Sequence, residues 1–210
     1  MAVTKTLSEF KSRLLGGGAR PNLFQVDIPA FPSAISEAWG SGEQAQNGTF
    51  NFMCKAAALP ASNIASVPIP FRGRTLKVAG DRTFDPWIIT IINDEDFSLR
   101  TAFEQWMNVI SKLDDATGVS NPSSYMCDAY VQQYGRGAEM NSTTNEGGQS
   151  AVLRTYKFYD MVPTAISEIA LNYDSTDQIE EFQVTFEYQY YTVGNSLQST
   201  GGNADEVLIE

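Results

Sequence analysis

Apolar and polar residues alternate along several short segments of the chain, as they do in strands with one buried face. The longest alternating segment runs from Ile179 to Tyr191. Its apolar row is Phe182, Val184, Phe186, Tyr188 and Tyr190, and its polar row is Gln183, Thr185, Glu187 and Gln189. Because an apolar row of this size would promote aggregation if exposed, we expect it to face a core and the polar row to face water.

Alternation also predicts strands at residues 23–28 and 50–56. The apolar run 87–92 is predicted to be a buried strand, the stretches 125–134 and 152–159, rich in Tyr and Val, are predicted to be strands, and 166–171 a short strand. The segment Phe71–Lys77 is typical of a hairpin whose tip is Arg72-Gly73-Arg74. Pro60, Pro68 and Pro70 are expected to break the chain before it into extended pieces. The polar stretch 33–48 is predicted to be an exposed loop, and the polar, glycine-rich stretch 135–149 is predicted to be either a mobile loop or the far end of a hairpin.

One clear amphipathic helix is predicted after residue 94, where Asp94 or Asp96 is placed to cap it. Its apolar residues are spaced by four, three, four and three positions: Leu99, Phe103, Trp106, Ile110 and Leu113. This stripe predicts a core face packed on a sheet. A shorter helix near the start carries Leu7, Phe10 and Leu14 on one side and is expected to stop at Gly16.

Strands that follow one another without alternating helices favour a mainly β fold. We expect two packed antiparallel sheets, similar to a sandwich or barrel, with one flanking α-helix and a short N-terminal helix. The 210 residues are within the size of one domain. Residues 1–18 are predicted to be an N-terminal arm, and residues 192–210 a flexible acidic tail.

Charge is unevenly distributed along the chain, which has a formal net charge of −11. Residues 1–20 hold four basic residues and one acidic residue, whereas residues 158–210 hold ten acidic residues and no basic one. An acidic chain repels phosphate, so ordinary nucleic-acid binding is disfavoured; solubility is the simpler reason for such a charge. The longest strongly apolar run, 87–92, is far shorter than the ~20 residues of a membrane helix, so we expect no membrane contact.

Histidine is absent, which excludes Ser-His-Asp and Cys-His catalytic sets. Cys54 and Cys127 have no CxxC spacing, and we interpret them as reduced small hydrophobic residues in strands of a protein that folds inside the cell. We therefore predict no enzyme, no cofactor and no metal site.

Four weak signals for chemistry each have a simpler structural explanation. Ser8 and Lys11 fit SxxK without its companion motifs, and the cluster 94–96 lacks the ligand spacing of a cation site. Asp81, Asp85 and Asp94 have no spacing that singles out an acid–base pair. Arg72 and Arg74 could bind phosphate, contact a protein or lie in solvent.

Several strings, in order and with their spacing, resemble tail tube proteins of contractile-tailed phages of the T-even type. They are Ala19-Arg20-Pro21-Asn22-Leu23-Phe24-Gln25-Val26, Cys54-Lys55-Ala56, Ala58-Leu59-Pro60-Ala61, Val78-Ala79-Gly80-Asp81-Arg82-Thr83-Phe84-Asp85, Trp87, Asn93-Asp94-Glu95, Trp106 and the strand from Phe182 to Tyr188. The resemblance covers residues 19–191. Relative to shorter members of that family, the loops 33–48 and 135–149 look expanded.

The resemblance implies a virion protein, assembled in the host cytoplasm, whose six copies form a ring with a continuous inner β-barrel. Rings would stack into a tube inside a contractile sheath, and DNA would pass through the lumen without specific binding. The implied partners are further copies of the chain, the tail sheath, baseplate and tail terminator proteins, and a tape measure protein in the lumen.

Within that assembly, we expect Gln183, Thr185, Glu187 and Gln189 to line the lumen, unless this strand lies on the outer surface. We expect the hairpin tip, Phe71, Arg72, Gly73 and Arg74, to join stacked rings, unless it is simply solvated. Two other functions remain open: a baseplate hub or the inner tube of a related contractile injection system, and, from another class, a binding module or a glycan hydrolase.

Overall fold

A computed structural model of the chain describes residues 6–13, 18–29, 31–32, 50, 53–138, 150–174 and 177–194. The helices are α1 (Leu7–Arg13), α2 (Ser98–Ile110) and a 3₁₀ turn, Pro122–Ser124. The strands are β1 (Phe24–Asp27), β2 (Cys54–Ala57), β3 (Ser62–Phe71), β4 (Arg74–Phe84), β5 (Trp87–Ile92), β6 (Cys127–Ala138), β7 (Ser150–Ile166), β8 (Glu181–Glu187) and β9 (Tyr190–Gly194). The prediction of a mainly β fold with two antiparallel sheets and two helices is confirmed.

The chain is organised as two compact units. The larger unit comprises 27–129 and 158–191, and the smaller unit comprises 1–26, 130–157 and 192–210. Strands β6 and β7 each run from one unit into the other.

The centre of the larger unit is a sheet with the strand order β2-β5-β8-β7, in which neighbouring strands are antiparallel. β5 and β8 pair without a shift, from Trp87 opposite Phe186 to Ile92 opposite Glu181. Residues opposite each other in such a ladder point to the same face. One face is therefore an apolar row, which we call the inner row and which is buried: Trp87, Ile89, Ile91, Phe182, Val184 and Phe186.

Helix α2 covers the inner row with the apolar stripe that the sequence predicts. Leu99, Phe103 and Trp106 are buried, and the ring centroids of Phe103 and Phe186 lie 5.9 Å apart. Trp106 Nε1 donates a 2.7 Å hydrogen bond to the carbonyl of Tyr125, which satisfies its polar atom in the core. Ile110 is half-buried at the end of the helix.

The expectation that Leu113 belongs to this stripe is wrong, since its side chain is 96% exposed. The helix ends at Ile110, and the chain folds back so that Lys112 N donates to the carbonyl of Thr117 and Val119 N to that of Val109. Gly118 makes this return possible, because a Cβ there would lie 1.9 Å from the carbonyl oxygen of Ile110. Because the backbone at Gly118 packs against the end of the helix, α2 stops at Ile110 and Leu113 is not part of it.

The start of α2 also differs from the prediction, since neither Asp94 nor Asp96 caps it. Phe97 occupies the cap position with a left-handed backbone (φ 52°) and makes no side-chain capping bond. The side-chain carboxylate of Asp94 instead accepts a hydrogen bond from the backbone amide of Glu95. The backbone carbonyl of Asp94 accepts one from the backbone amide of Phe97. A tight turn therefore replaces the side-chain cap.

Strands β3 and β4 form a separate two-stranded antiparallel ribbon. They are joined at Arg72 (φ 44°) and Gly73 (φ 79°), and two positive φ values are typical of a type I′ hairpin turn. The hairpin is longer than predicted because Pro68 and Pro70 lie within β3. In an antiparallel pair, every second residue of a strand makes no backbone hydrogen bond to the partner strand. Pro68 and Pro70 are two positions apart, so both can occupy such non-bonded positions, where the missing N–H group is tolerated.

The smaller unit contains α1, most of β1, most of β6 and the first part of β7. Val26 and Val131 are buried there, and Tyr134 N donates to the carbonyl of Leu23. Thr6 and Glu9 form a reciprocal capping box at the start of α1. Leu7 and Phe10 on that helix are exposed, and Leu14 and Gly16 lie outside the described residues.

Several predicted strand limits are corrected. β7 continues to Ile166, so the strand predicted at 166–171 does not form, and the long alternating segment is split into β8 and β9. Residues 87–92 are buried on one face only, because Ile88 is exposed. The predicted loop 33–48 and most of the loop 135–149 lie outside the described residues.

Candidate assembly surfaces

The face of the larger sheet opposite α2 is polar at its centre, and we call its side chains the outer row. In β8 it contains the exposed Gln183 and Glu187 and the half-buried Thr185. Gln183 lies opposite Thr90 of β5, and Thr185 lies opposite Ile88. Their apolar neighbours along β8 are buried. The structure therefore gives β8 the two unlike faces that its alternation predicts. Gln189 is also exposed, but it lies after the end of β8. Its backbone N–H donates a hydrogen bond to the backbone carbonyl of Tyr159.

The two carboxylates of β8 have different surroundings. Glu181 pairs with Lys55 of β2, which neutralises one charge at that end of the outer row. Glu187 has no ion-pair partner among the described residues, and it lies opposite the apolar Val162 of β7. Of the two carboxylates of β8, Glu187 is therefore the one whose charge is not neutralised by a described residue.

The β3–β4 ribbon carries one apolar face that nothing in the described part of the chain covers. Its register places Val67 opposite Val78 and Ile69 opposite Leu76, with Phe71 next to the turn on the same face. Phe71 is 66% exposed and Leu76 61%. Exposed apolar patches of this kind mark contact surfaces. We call this surface the apolar ribbon face.

The ribbon also holds much of the positive charge of the chain. Arg72, Arg74, Lys77 and Arg82 lie within it, against the single acid Asp81. The guanidinium of Arg72 lies 5.5 Å from the ring centroid of Phe71, and none of the four basic side chains forms an ion pair with a described residue. The predicted tip residues Phe71, Arg72, Gly73 and Arg74 are thus brought together at one exposed turn.

The tip of the hairpin was predicted from the sequence, whereas the apolar ribbon face was not. The signal was present, because Ile69 and Phe71 alternate with the prolines of β3, but prolines are usually evidence against a strand. A second exposed group was also missed, in the connection from β7 to β8. It consists of Leu171, Tyr173 and Ile179, all highly exposed.

An apolar groove of about 630 Å³ runs beside the second half of α2. Its lining includes Met107, Ile110 and Leu113 from the helix side and Pro163 and Ile166 from β7. The side chain of Leu113, which is outside the helical stripe, therefore borders this groove. The polar groups of the lining are those of Glu104, Asn108, Ser111, Tyr125 and Thr164.

The residues with candidate chemistry do not form a reactive site. In the described part of the chain, no group of three or more carboxylates or thiols could hold a metal ion. Ser8 and Lys11 are exposed on α1, and Asp94 is used in the turn before α2. The carboxylate of Asp85 accepts a hydrogen bond from Asn63, which fixes the base of the ribbon. These side chains have structural or solvent-exposed positions.

Both cysteines are free thiols in strands β2 and β6. Burial raises the pKa of the Cys54 thiol to about 12. Burial, together with the charge of Asp128, raises the pKa of Cys127 as well. Raised pKa values suppress the reactive thiolate, so these cysteines have the properties of structural residues. No helix in the described ranges is long and apolar enough to span a membrane.

Comparison with known proteins identifies the family. A family model for the phage tail tube protein matches residues 19–194. The chain belongs to the phage tail tube protein family. It is 34% identical over 176 residues to tail tube protein gp19 of Enterobacteria phage T4, a match that covers 84% of this chain and 92% of that protein. The corresponding protein of Enterobacteria phage T6 matches equally well. The resemblance found in the sequence is confirmed, and this tail tube protein is a structural subunit of a phage tail.

Solved structures share its fold. The anti-feeding prophage baseplate contains a chain with a TM-score of 0.54 at 11% identity, covering 86% of this tail tube protein and 97% of that chain. The tube terminating cap of the same particle gives 0.52 at 15% identity, covering 85% and 91%. At such low identities the likeness concerns the fold alone.

Proposed function

We propose that six copies of this tail tube protein close into a ring and that rings stack into a hollow tube inside a contractile sheath. DNA passes through the lumen without specific binding, after a tape measure protein has occupied it. Sheath, baseplate and tail terminator proteins are the other partners, and assembly takes place in the host cytoplasm. The protein performs this role without catalysis, a cofactor or a membrane.

The observation that carries this proposal is the contrast between the two faces of the larger sheet. The inner row is covered by α2, whereas the outer row exposes Gln183 and Glu187 of β8 together with the single large apolar side chain Ile88 of β5. A ring of such sheets, with the helices outside, has a polar interior surface. The strand β2 lies at one end of the strand order, and an edge of this kind is available for pairing with a neighbouring copy.

Gln183, Thr185, Glu187 and Gln189 line the lumen in this proposal. Glu187 contributes more to the negative potential of the lumen than Glu181, because Glu181 is already paired with Lys55. Sixfold symmetry and stacking repeat Glu187 in acidic bands, which repel the phosphates of DNA and let it slide. The competing arrangement has β8 on the outer surface, where its polar row faces solvent or the sheath.

Electron microscopy of the purified protein in negative stain tests the assembly. We expect hollow rings or tubes. Compact monomers that hydrolyse glycans would instead favour the enzyme class. A hub protein of a baseplate, the second candidate favoured by the fold of the anti-feeding prophage chain, would stop at a single ring. Tubes of many rings therefore separate the tube subunit from the hub.

The substitution Glu187→Lys tests the lumen. Phage particles carrying it are expected to assemble and to release DNA more slowly, because the new positive bands attract phosphate. Added salt should restore the rate, since it screens this attraction. Glu187→Gln is the matched control, which removes the charge without reversing it and should cause little delay. Release at the normal rate from Glu187→Lys particles at low salt would contradict a luminal position.

A further inference from the structure

Two exposed surfaces of the larger unit carry opposite charge. The β3–β4 ribbon, residues 62–84, holds four basic residues and one acidic residue. The connection between β7 and β8, residues 167–180 and described except at 175 and 176, holds four acidic residues and no basic one. The carboxylates of Asp174 and Asp177 have no ion-pair partner among the described residues. Each surface lacks a counter-charge that the other would supply.

These two surfaces lie at opposite ends of strand β5. Asp85 N donates to the carbonyl of Ala61 at the base of the ribbon, directly before β5 begins at Trp87. At the other end, Asn93 N donates to the carbonyl of Glu180, and the Asn93 amide donates to the Glu180 carboxylate at 3.0 Å. The six residues of β5, which lie between the two anchors, span about 17 Å.

Both surfaces also expose large apolar side chains. The ribbon presents Phe71, Ile69 and Leu76, and the β7–β8 connection presents Leu171, Tyr173 and Ile179, of which Tyr173 is fully exposed. A stable contact combines a buried apolar centre with a polar and charged rim. Each of the two surfaces contains both parts.

We propose that the β3–β4 ribbon of one copy docks on the β7–β8 connection of a second copy in the next ring. The apolar ribbon face covers Leu171, Tyr173 and Ile179, while Arg72 and Arg74 at the tip pair with Asp174 and Asp177. A contact between two different surfaces generates an open filament when its repetition does not close into a ring, and stacking along a tube is repetition of this open kind. The proposal rests on the proposed tube function and names the surface that receives the ribbon.

Charge reversal tests this pairing. Ribbon variant Arg72→Glu/Arg74→Glu and connection variant Asp174→Arg/Asp177→Arg each place like charges together, so each alone should form rings but few tubes. Like charges at a contact weaken its association by about tenfold or more. When the two variants are mixed as preformed rings, both kinds of contact become complementary again. Negative-stain images should then show tubes of nearly wild-type length.

The control is Asp114→Arg, a reversal of an exposed carboxylate after α2, which should leave tube length unchanged. The quadruple variant, with both surfaces reversed in one chain, should form tubes by itself. Tubes of normal length from either double variant, or no recovery on mixing and in the quadruple variant, would overturn the pairing while leaving the tube function intact. A wild-type protein that forms neither rings nor tubes would overturn both.

Discussion

The inner row of the larger sheet and the apolar ribbon face are built from the same kinds of residue in the same alternation. In the first, Phe182, Val184 and Phe186 are buried beneath α2. In the second, Ile69, Phe71 and Leu76 remain exposed, because no described element of the chain packs on that face. Alternation therefore shows which side of a strand avoids water, but it does not show whether the cover comes from the same chain or from another copy.

The largest expected effect concerns the covered face. Phe103→Ala removes a ring that packs against Phe182, Phe186 and Trp106, and it leaves a cavity under α2. The free energy of unfolding should fall by about 3–5 kcal/mol, as for other large truncations in a core. Denaturant unfolding of the soluble subunit measures it. A loss below ~1 kcal/mol would show that the helix stripe is not a core.

The end of α2 provides a second test of that face. Gly118→Ala places a Cβ against the carbonyl oxygen of Ile110, so the return of the chain must shift. We expect a loss of more than about 1 kcal/mol, since the native backbone cannot accept the side chain. Gly194→Ala is the matched control, because a Cβ there meets nothing within 4 Å. Equal stability of the two variants would argue against the close approach.

The ribbon should respond in the opposite way. Ile69→Ser/Leu76→Ser changes two exposed side chains, so the stability of the isolated subunit should change by no more than about 0.5 kcal/mol. Tube length should nevertheless fall, because the apolar centre of the proposed contact is lost. Melting curves and negative-stain lengths of the same preparation give both readouts. A strongly destabilised subunit would mean that the ribbon is covered within its own chain.

The smallest expected effect is a difference in thiol labelling rate. It compares a buried position of the larger sheet, Cys54, with an exposed position of the apolar ribbon face, Leu76. Cys54 is buried and burial raises the pKa of its thiol to about 12, so at pH 8 the thiol is almost entirely protonated and should be labelled slowly. Raising the pH toward the pKa of the folded thiol increases the thiolate fraction and hence the labelling rate. The new thiol of Leu76→Cys on the exposed ribbon should react rapidly at pH 8. Mass spectrometry identifies the labelled site, and rapid labelling of Cys54 in the folded subunit would contradict a closed core.

The sequence alone determined the fold class, the buried and polar rows of β8, and most of the α2 stripe. These features depend on local periodicity, which is fixed by the geometry of a strand or helix. It also placed the tip of the hairpin at Arg72-Gly73-Arg74, where Gly73 tolerates the positive φ that a tight turn requires. The family resemblance came from motifs spread along residues 19–191 in their order and spacing.

The tertiary structure alone decided where those periodic segments stop and what covers them. α2 ends before Leu113 because the backbone of Gly118 packs against the carbonyl of Ile110. The spacing of apolar residues does not predict this contact. Pro68 and Pro70 lie within β3 because the ribbon has no third strand that needs their N–H groups. Glu181 is neutralised and Glu187 is not, because Lys55 reaches only one of them across the sheet. Each of these outcomes depends on residues distant in sequence, and their physical cause is the packing of the folded chain.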